Sequence, residues 1–551
     1  MKGGTTVTLL SRAVEHFLHL PPAVTRSVEV TRGLRIPTSD GVELLADLYA
    51  PRNVPGAPTI LVRTPYGRGG MASQLTCRPF AERGYNVLVA TCRGTDGAGG
   101  TFDPFLDDRK DGLATLDWVE EQPWHNGKVL MFGPSYLGHV QLALAPDAGD
   151  RLTALLPMIT TSGFRDLWYA GGSFQLAGLL AWTARMVTLE HSPPFKADVL
   201  ELLGDKRAQR AMTHLPLTEA DTLATGKQAD WFQQWLLHDQ LDDQYWSSDR
   251  EHRDRIGEIA VPTLLFGGWH DILLPGQLAD YAAMRAVGRN PYLTIGPWVH
   301  VSTDMFAAAV REALIWFRAH VTGNHSALRR RPVRLFVQGA DEWRDYPEWP
   351  PPGTGTQDWY LQERDGLAPG SAGTGVGRFR YDPTDPTPTV GGPLLDPKTA
   401  GRKDNTELEA RSDVLVHSSA PLTEPVEVIG PVTATIRVRT STPHADVFVR
   451  LCDVDQQGRS INVCDGLQRI TPEEFPVDAD GIRTVAVQLA PTAYRFLSGH
   501  RLRVQVSGGS FPRFARNTGS GESLASATRL VPVDHEILPG SHLTLPVQQG
   551  G

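Results

Sequence analysis

The chain has 551 residues, 41% hydrophobic and 21% charged, the balance of an ordinary globular protein, and it is too long for one compact core. Lys and Arg total 53 against 62 Asp and Glu, and the formal net charge of -9 argues against a general nucleic-acid or anionic-membrane binder. No run reaches membrane-spanning length and the amino terminus lacks a basic patch followed by an apolar core and cleavage site, so a cytoplasmic location is expected.

Residues 1–26 carry no decisive pattern and suit a lead-in helix or an ordered tail. Residues 27–50 alternate in the manner of a hairpin around Ser39-Asp40-Gly41. Short apolar runs at 59–63, 85–90 and 155–159 read as strands, with helical spacing at 75–82 and 107–121. Strands alternating with helices predict a mainly parallel sheet covered on both faces. From Gly163 to about Asp254 the rhythm breaks: Trp, Leu, Ala and Gln dominate, helical spacing runs through 176–186 and 232–245, and an inserted helical cap is expected.

The sheet pattern then resumes with strands at 261–266 and 292–295 and helices at 275–286 and 307–321. Beyond Arg331, short alternating segments at 333–337, 432–438, 447–451, 484–489 and 501–506 are separated by Pro- and Gly-rich loops, the pattern of a β-sandwich. Residues 354–401, dense in Gly and Pro, are expected to form long loops. The resulting division is a first domain of 1–162 and 254–330, a cap of 163–253 and a β-sandwich of 331–551. The four cysteines, Cys77, Cys92, Cys452 and Cys464, lack metal-like spacing and are expected to be buried thiols. A bridge between Cys452 and Cys464 across a hairpin stays open.

The stretch 129–138, VLMFGPSYLG, carries the strongest chemical signal. A strand turning at once into a helix forces the residue at the bend into strained geometry and lifts its side chain above the sheet edge, which presents Ser135 as a nucleophile. The second glycine, Gly138, stands one position later than in G-x-S-x-G. A serine hydroxyl needs a base, and the base an acid that fixes its tautomer. Asp271 follows one predicted strand and His300 the next, in the chain order Ser, Asp, His of an α/β-hydrolase. His139, His191 and His270 are weaker bases, because they fall in the elbow helix, in the cap and beside the acid. The oxyanion needs donors as well: the backbone N–H of Tyr136 is the first expected, and the Tyr66 phenol at the end of an earlier strand is the second. For Tyr66 the competing reading is a packed tyrosine with a satisfied hydroxyl.

Four segments, Pro65-Tyr66-Gly67, Gly133 to Gly138, Gly268-Trp269-His270-Asp271 and Gly296-Pro297-Trp298-Val299-His300, resemble the bacterial cocaine-esterase-like serine hydrolases, relatives of X-prolyl dipeptidyl peptidases and α-amino acid ester hydrolases. Residues 381–392 resemble the segment that opens the later part of those chains, and the likeness spans roughly residues 27–545. The resemblance implies an α/β-hydrolase core, an inserted helical cap and a carboxyl-terminal jelly roll. It also implies Ser135 as nucleophile, Asp271 as acid, His300 as base and the Tyr66 hydroxyl in the oxyanion hole, and it accounts for the displaced Gly138.

Trp168, Tyr169, Phe174 and Trp182 in the cap, with Leu273 and Leu274 after the acid, are candidate walls of an acyl pocket. Each competes with a reading as cap core. Phe164-Arg165-Asp166 does not by itself identify a recogniser of a substrate amine. The expected activity is hydrolysis of small-molecule esters through an acyl-enzyme. An X-prolyl dipeptidyl peptidase or acylase is the alternative on the same core, and a noncatalytic carbohydrate- or partner-binding protein the alternative of another class. No dinucleotide fingerprint occurs at 93–100 and the triad chemistry needs no metal, so no cofactor or metal is expected, nor a nucleic-acid or membrane partner. Homo-oligomerisation through the carboxyl-terminal domain is compatible with the sequence.

Overall fold

The computed structural model describes residues 11–191, 206–240, 243–247, 249–370 and 377–548. Among these, ten strands form the first sheet in the order β1-β2-β4-β3-β5-β6-β7-β8-β9-β10. They are β1 Val28–Pro37, β2 Glu43–Pro51, β3 Thr59–Thr64, β4 Asn86–Thr91, β5 Val129–Pro134, β6 Ala154–Met158, β7 Leu264–His270, β8 Tyr292–Val299, β9 Val333–Val337 and β10 Glu342–Tyr346. Neighbours from β4 through β9 are parallel, while β1, β2 and β10 add antiparallel margins. The parallel strands are apolar on both faces because helices cover both. Leu130 and Phe132 of β5 share a core with Phe80 and Phe317 of the helices Gly70–Ala81 and Thr303–Thr322. Val129 and Met131 point the other way, to Leu116 and Leu142 of the helices Asp108–Glu120 and Tyr136–Ala148.

Two strands are longer than their apolar runs suggest. β7 continues through Gly267-Gly268-Trp269-His270, and β8 through Gly296 to Val299, so Asp271 and His300 each follow the last residue of a strand. The helix expected over 232–245 is shorter, Asp230–Leu237, followed by a single turn at Gln244–Trp246. Between β6 and β7 the regular elements of the described residues are all helices, including Leu176–His191, Lys206–Met212 and Ala220–Thr225.

The division after residue 330 needs correction. Val333–Val337 is not a sandwich strand: it pairs in parallel with β8, and Glu342–Tyr346 turns back along it. Its alternating pattern arises because it is near a sheet margin, with Val333, Leu335 and Val337 buried and Arg334 and Phe336 partly open. The segment 354–401 also holds strands, Thr354–Leu361, Leu367–Pro369 and Gly377–Tyr381, where loops were expected. The rest is two antiparallel sheets. A seven-stranded sheet is centred on Val426–Thr440, and a four-stranded one contains Ala445–Val454 and Ser460–Ile470. Val428, Val432 and Ala434 of the larger sheet and Val447, Val449 and Leu451 of the smaller share one core.

All four cysteines are buried and free. In the hairpin Leu451 faces Cys464 and Cys452 faces Asn462, so an irregularity in the register offsets the two thiols. Among the described residues no helix is long and apolar enough to cross a membrane.

Candidate active site

The bend after β5 is built by two close approaches. A Cβ on Gly133 would stand 2.4 Å from Leu137 Cβ, and one on Gly138 would stand 2.6 Å from Thr160 Cγ2, so only glycine lets this strand and helix meet. Ser135 takes φ 55 and ψ -122, a strained conformation for a residue with a side chain. Its N–H donates to Met158 O at 2.9 Å, and its carbonyl accepts from Gly138 and His139 at 2.9 and 3.0 Å. Backbone bonds therefore lock the bend while the side chain stays partly exposed. Tyr136 is the first helical residue, and an N–H there has no acceptor within its own helix.

Asp271 and His300 stand at the same carboxyl edge and are nearly closed to solvent, at 1% and 5% exposure. His300 Nδ1 lies 2.6 Å from Asp271 Oδ2, while Asp271 Oδ1 accepts the Leu273 N–H at 2.7 Å. With Nδ1 committed to the carboxylate, Nε2 is the nitrogen left to act on a hydroxyl. The turn after His300 is strained too: Val301, β-branched and 56% exposed, holds φ 53, and Ser302 then caps the helix Thr303–Thr322.

Tyr66 follows β3 on this edge, with its hydroxyl facing that of Ser135. It accepts the indole N–H of Trp182 at 3.0 Å, and the Arg185 guanidinium lies 5.8 Å from the centre of its ring. Burial raises the phenol above its usual range, so the proton is held for donation. The other histidines considered as bases are occupied elsewhere. His139 faces Thr161 O at 3.1 Å, and burial lowers its pKa to about 3. His270 is 2.8 Å from Gln338 Oε1 and is lowered to about 4, also by burial. The side chain of His191 lies outside the described residues.

The six suggested wall residues divide. Trp182 reaches the site through Tyr66, and Leu273 packs in the same cluster as Tyr136. Trp168 is cap core, 4.9 Å from Phe164 and 5.6 Å from Trp235 between ring centres. Tyr169 is core as well, its hydroxyl donating to Trp235 O at 2.6 Å. Phe174 has no exposed surface, and its carbonyl accepts the Ala515 N–H, which ties the cap to a loop of the carboxyl-terminal region. Leu274 turns toward Leu265 and Trp269 behind the strands. Helical spacing identifies a buried stripe, but it does not separate stripe residues facing a cavity from those facing a neighbouring helix.

Phe102 and Trp231 were missed. Both are partly buried, their rings are 5.8 Å apart, and Phe102 lies 6.4 Å from Trp182 and 6.1 Å from Tyr136. The available signal for Phe102 was an aromatic side chain in a glycine-rich loop beyond a strand. Asp166 is taken up by Arg253 and Arg165, and Glu251 by the N–H groups of Phe164 and Arg165 at 2.7 Å each. Among the described residues no group of three or more His, Cys, Asp or Glu side chains could hold a metal ion.

A partly exposed, strained serine after β5 and a buried carboxylate–imidazole pair after β7 and β8, all at one carboxyl edge of the sheet, are the parts a serine hydrolase uses. The sequence profile of the X-Pro dipeptidyl-peptidase (S15 family) matches residues 40–302, and that of the X-Pro dipeptidyl-peptidase C-terminal non-catalytic domain matches residues 325–545. The cocaine esterase of Rhodococcus sp. (strain MB1 Bresler) is 33% identical across 94% of this chain and 98% of its own. The chain therefore belongs to the cocaine-esterase-like CocE/NonD hydrolases of the X-Pro dipeptidyl-peptidase (S15) family. Two solved structures, each 22% identical over 94% of this chain and 96% of theirs, share the fold. They are an α-amino acid ester hydrolase, with a TM-score of 0.82, and an aminopeptidase from a marine sediment archaeon, Thaumarchaeota archaeon, with a TM-score of 0.78.

Proposed function

We propose that the chain hydrolyses small carboxylic esters through an acyl-enzyme on Ser135. The reading rests above all on the 2.6 Å Asp271–His300 contact at the sheet edge that presents the strained serine. His300 Nε2 takes the hydroxyl proton as Ser135 Oγ attacks the ester carbonyl. The Tyr66 hydroxyl and the Tyr136 N–H donate to the oxyanion as charge develops. As the tetrahedral adduct collapses, the C–O bond to the alcohol breaks and His300 returns its proton to the leaving oxygen. A water, deprotonated by His300 in turn, cleaves the acyl–Ser135 bond and releases the acid. Trp182, Phe102 and Trp231 form the apolar surround, which suits an aromatic or other apolar ester.

Ester cleavage is favoured over removal of an Xaa-Pro dipeptide. Recognition of a substrate ammonium calls for a carboxylate open to it, and the acidic groups at the cap root, Asp166 and Glu251, are already taken by Arg253 and by backbone N–H groups. The similarity to the Rhodococcus cocaine esterase points the same way.

Ser135→Ala should abolish turnover of p-nitrophenyl acyl esters, by at least about 10⁴-fold, and remove the mass adduct left by a fluorophosphonate. Retained hydrolysis would end this reading. Tyr66→Phe should lower kcat about 10²–10³-fold, the usual cost of one oxyanion donor. A higher kcat/KM for Xaa-Pro p-nitroanilides than for the esters would move the assignment to the peptidase.

A further inference from the structure

Beneath the elbow lies a charged group with no part in the chemistry above. Arg63, on β3 three residues before Tyr66, has 0% exposure. Its Nη1 donates to Asp108 O at 2.6 Å, and its Nη2 lies 3.8 Å from Asp108 Oδ1. Nε and Nη2 have no hydrogen-bond partner. Asp108 is 4% exposed and opens the helix Asp108–Glu120. The Tyr136 phenol and the Cys92 thiol both lie near its carboxylate, whose Oδ2 has no hydrogen-bond partner of its own.

Tyr136 Oη also accepts the Phe105 N–H at 3.0 Å, and the two rings stack with centres 5.1 Å apart. Phe105 holds φ 73, costly for a bulky residue, in the conformation that gives its N–H to that phenol. A buried ion pair this sparsely bonded is a poor source of stability, because taking both charges out of water offsets their attraction. Its geometry has another use. The phenol beside it belongs to the residue whose backbone N–H would serve the oxyanion, and the guanidinium sits on the strand that delivers Tyr66.

We propose that Arg63, Asp108 and the Tyr136 phenol are positioning residues that lock the two oxyanion donors onto one point. The proposal rests on the functional reading above. Tyr136→Phe removes one oxygen and leaves the ring and the backbone N–H in place. Asp108→Asn keeps the shape of the carboxylate and discharges it. Each should lower kcat up to about 100-fold with KM little changed, the effect of displacing a donor by a fraction of an ångström to an ångström. Affinity for benzeneboronic acid, whose tetrahedral serine adduct places an oxygen in the oxyanion hole, should fall by the same factor. A merely structural role would lower the melting temperature without moving that affinity.

Ser135→Ala is measured alongside. If boronate binding does not need Ser135, the functional reading falls and the positioning claim falls with it. If binding needs Ser135 but is indifferent to Tyr136→Phe, the positioning claim alone is overturned. Because Tyr136→Phe deletes a single atom, it carries the decision should Asp108→Asn fail to fold.

Discussion

Ser135, the proposed nucleophile, and Asp271 with His300, the proposed acid–base pair, occupy one sheet edge but are held in different ways. Ser135 is fixed by its own neighbourhood: Gly133, Gly138 and backbone bonds to Met158 and His139 close the bend within a short span of chain and one adjacent strand. Asp271 and His300 are held from a distance. His270, beside Asp271, leans on Gln338, whose N–H and carbonyl bond in turn to Ala493 O and Arg495 N. Val299, beside His300, meets Gly401, where a Cβ would come within 3.2 Å of its Cγ1. Arg402 continues that contact to the Tyr494 hydroxyl at 3.0 Å, which bonds Asp453 at 2.9 Å. One half of the proposed site is thus local, and the other depends on the carboxyl-terminal strands being in place.

The contrast can be broken most forcefully at Asp271. Asp271→Asn leaves the packing but offers the wrong hydrogen-bonding partner to His300 Nδ1, and should lower kcat about 10⁴-fold while fluorophosphonate labelling becomes slow rather than absent. Labelling at the wild-type rate would show that the elbow works without its partner. A smaller effect tests the remote support. Gln338→Ala leaves the buried His270 Nε2 unsatisfied and should destabilise the fold by about 1–3 kcal/mol in denaturant titration. The same change should lower kcat less than about tenfold, whereas an unaltered kcat together with unaltered stability would uncouple the two halves.

The smallest expected effect is in pH dependence. Asp280 is fully buried, accepts Ser162 N–H at 2.8 Å together with the Ser162 hydroxyl, and burial raises its pKa to about 7. Folded protein thus keeps a proton that unfolded chain releases near pH 4, so this group's stabilisation is complete below about pH 4 and is lost as pH rises through 7. His139, His252 and His270 act in the opposite sense. Burial lowers them to about 3, 4 and 4, so their contribution is present above about pH 6.5 and is lost as pH falls toward those values. Asp280→Asn should therefore flatten the decline in melting temperature between pH 5 and 8 by a few degrees and leave the acid limb as it is. An unchanged alkaline slope would remove Asp280 as its source.

The two halves also differed in how much the sequence revealed. The elbow was legible because its determinants are contiguous: an apolar run, a turn and glycines at fixed offsets. Asp271 and His300, the proposed acid and base, could be singled out by chain order, since each follows a strand, although the strands reach further than their apolar cores because Gly267, Gly268 and Gly296 carry the ladder without apolar side chains. Gln338, Gly401 and Tyr494 were not legible as supports, because their role exists only once segments distant in sequence meet. The cap posed a related difficulty. Phe174 and Trp182 share its apolar composition, yet one meets a carboxyl-terminal loop at Ala515 and the other Tyr66. The strand Val333–Val337 misled for another reason: one open face gave it the alternation of a sandwich strand.

That last strand sets a practical limit on dissecting the molecule. A fragment stopping at residue 330 would strip β8 of its parallel neighbour and leave a raw row of amide and carbonyl groups, an invitation for its own copies to zip together. Stopping after Tyr346 would preserve that margin but discard Gly401 and Tyr494, leaving an intact sheet with Val299 and His300 slack at its edge.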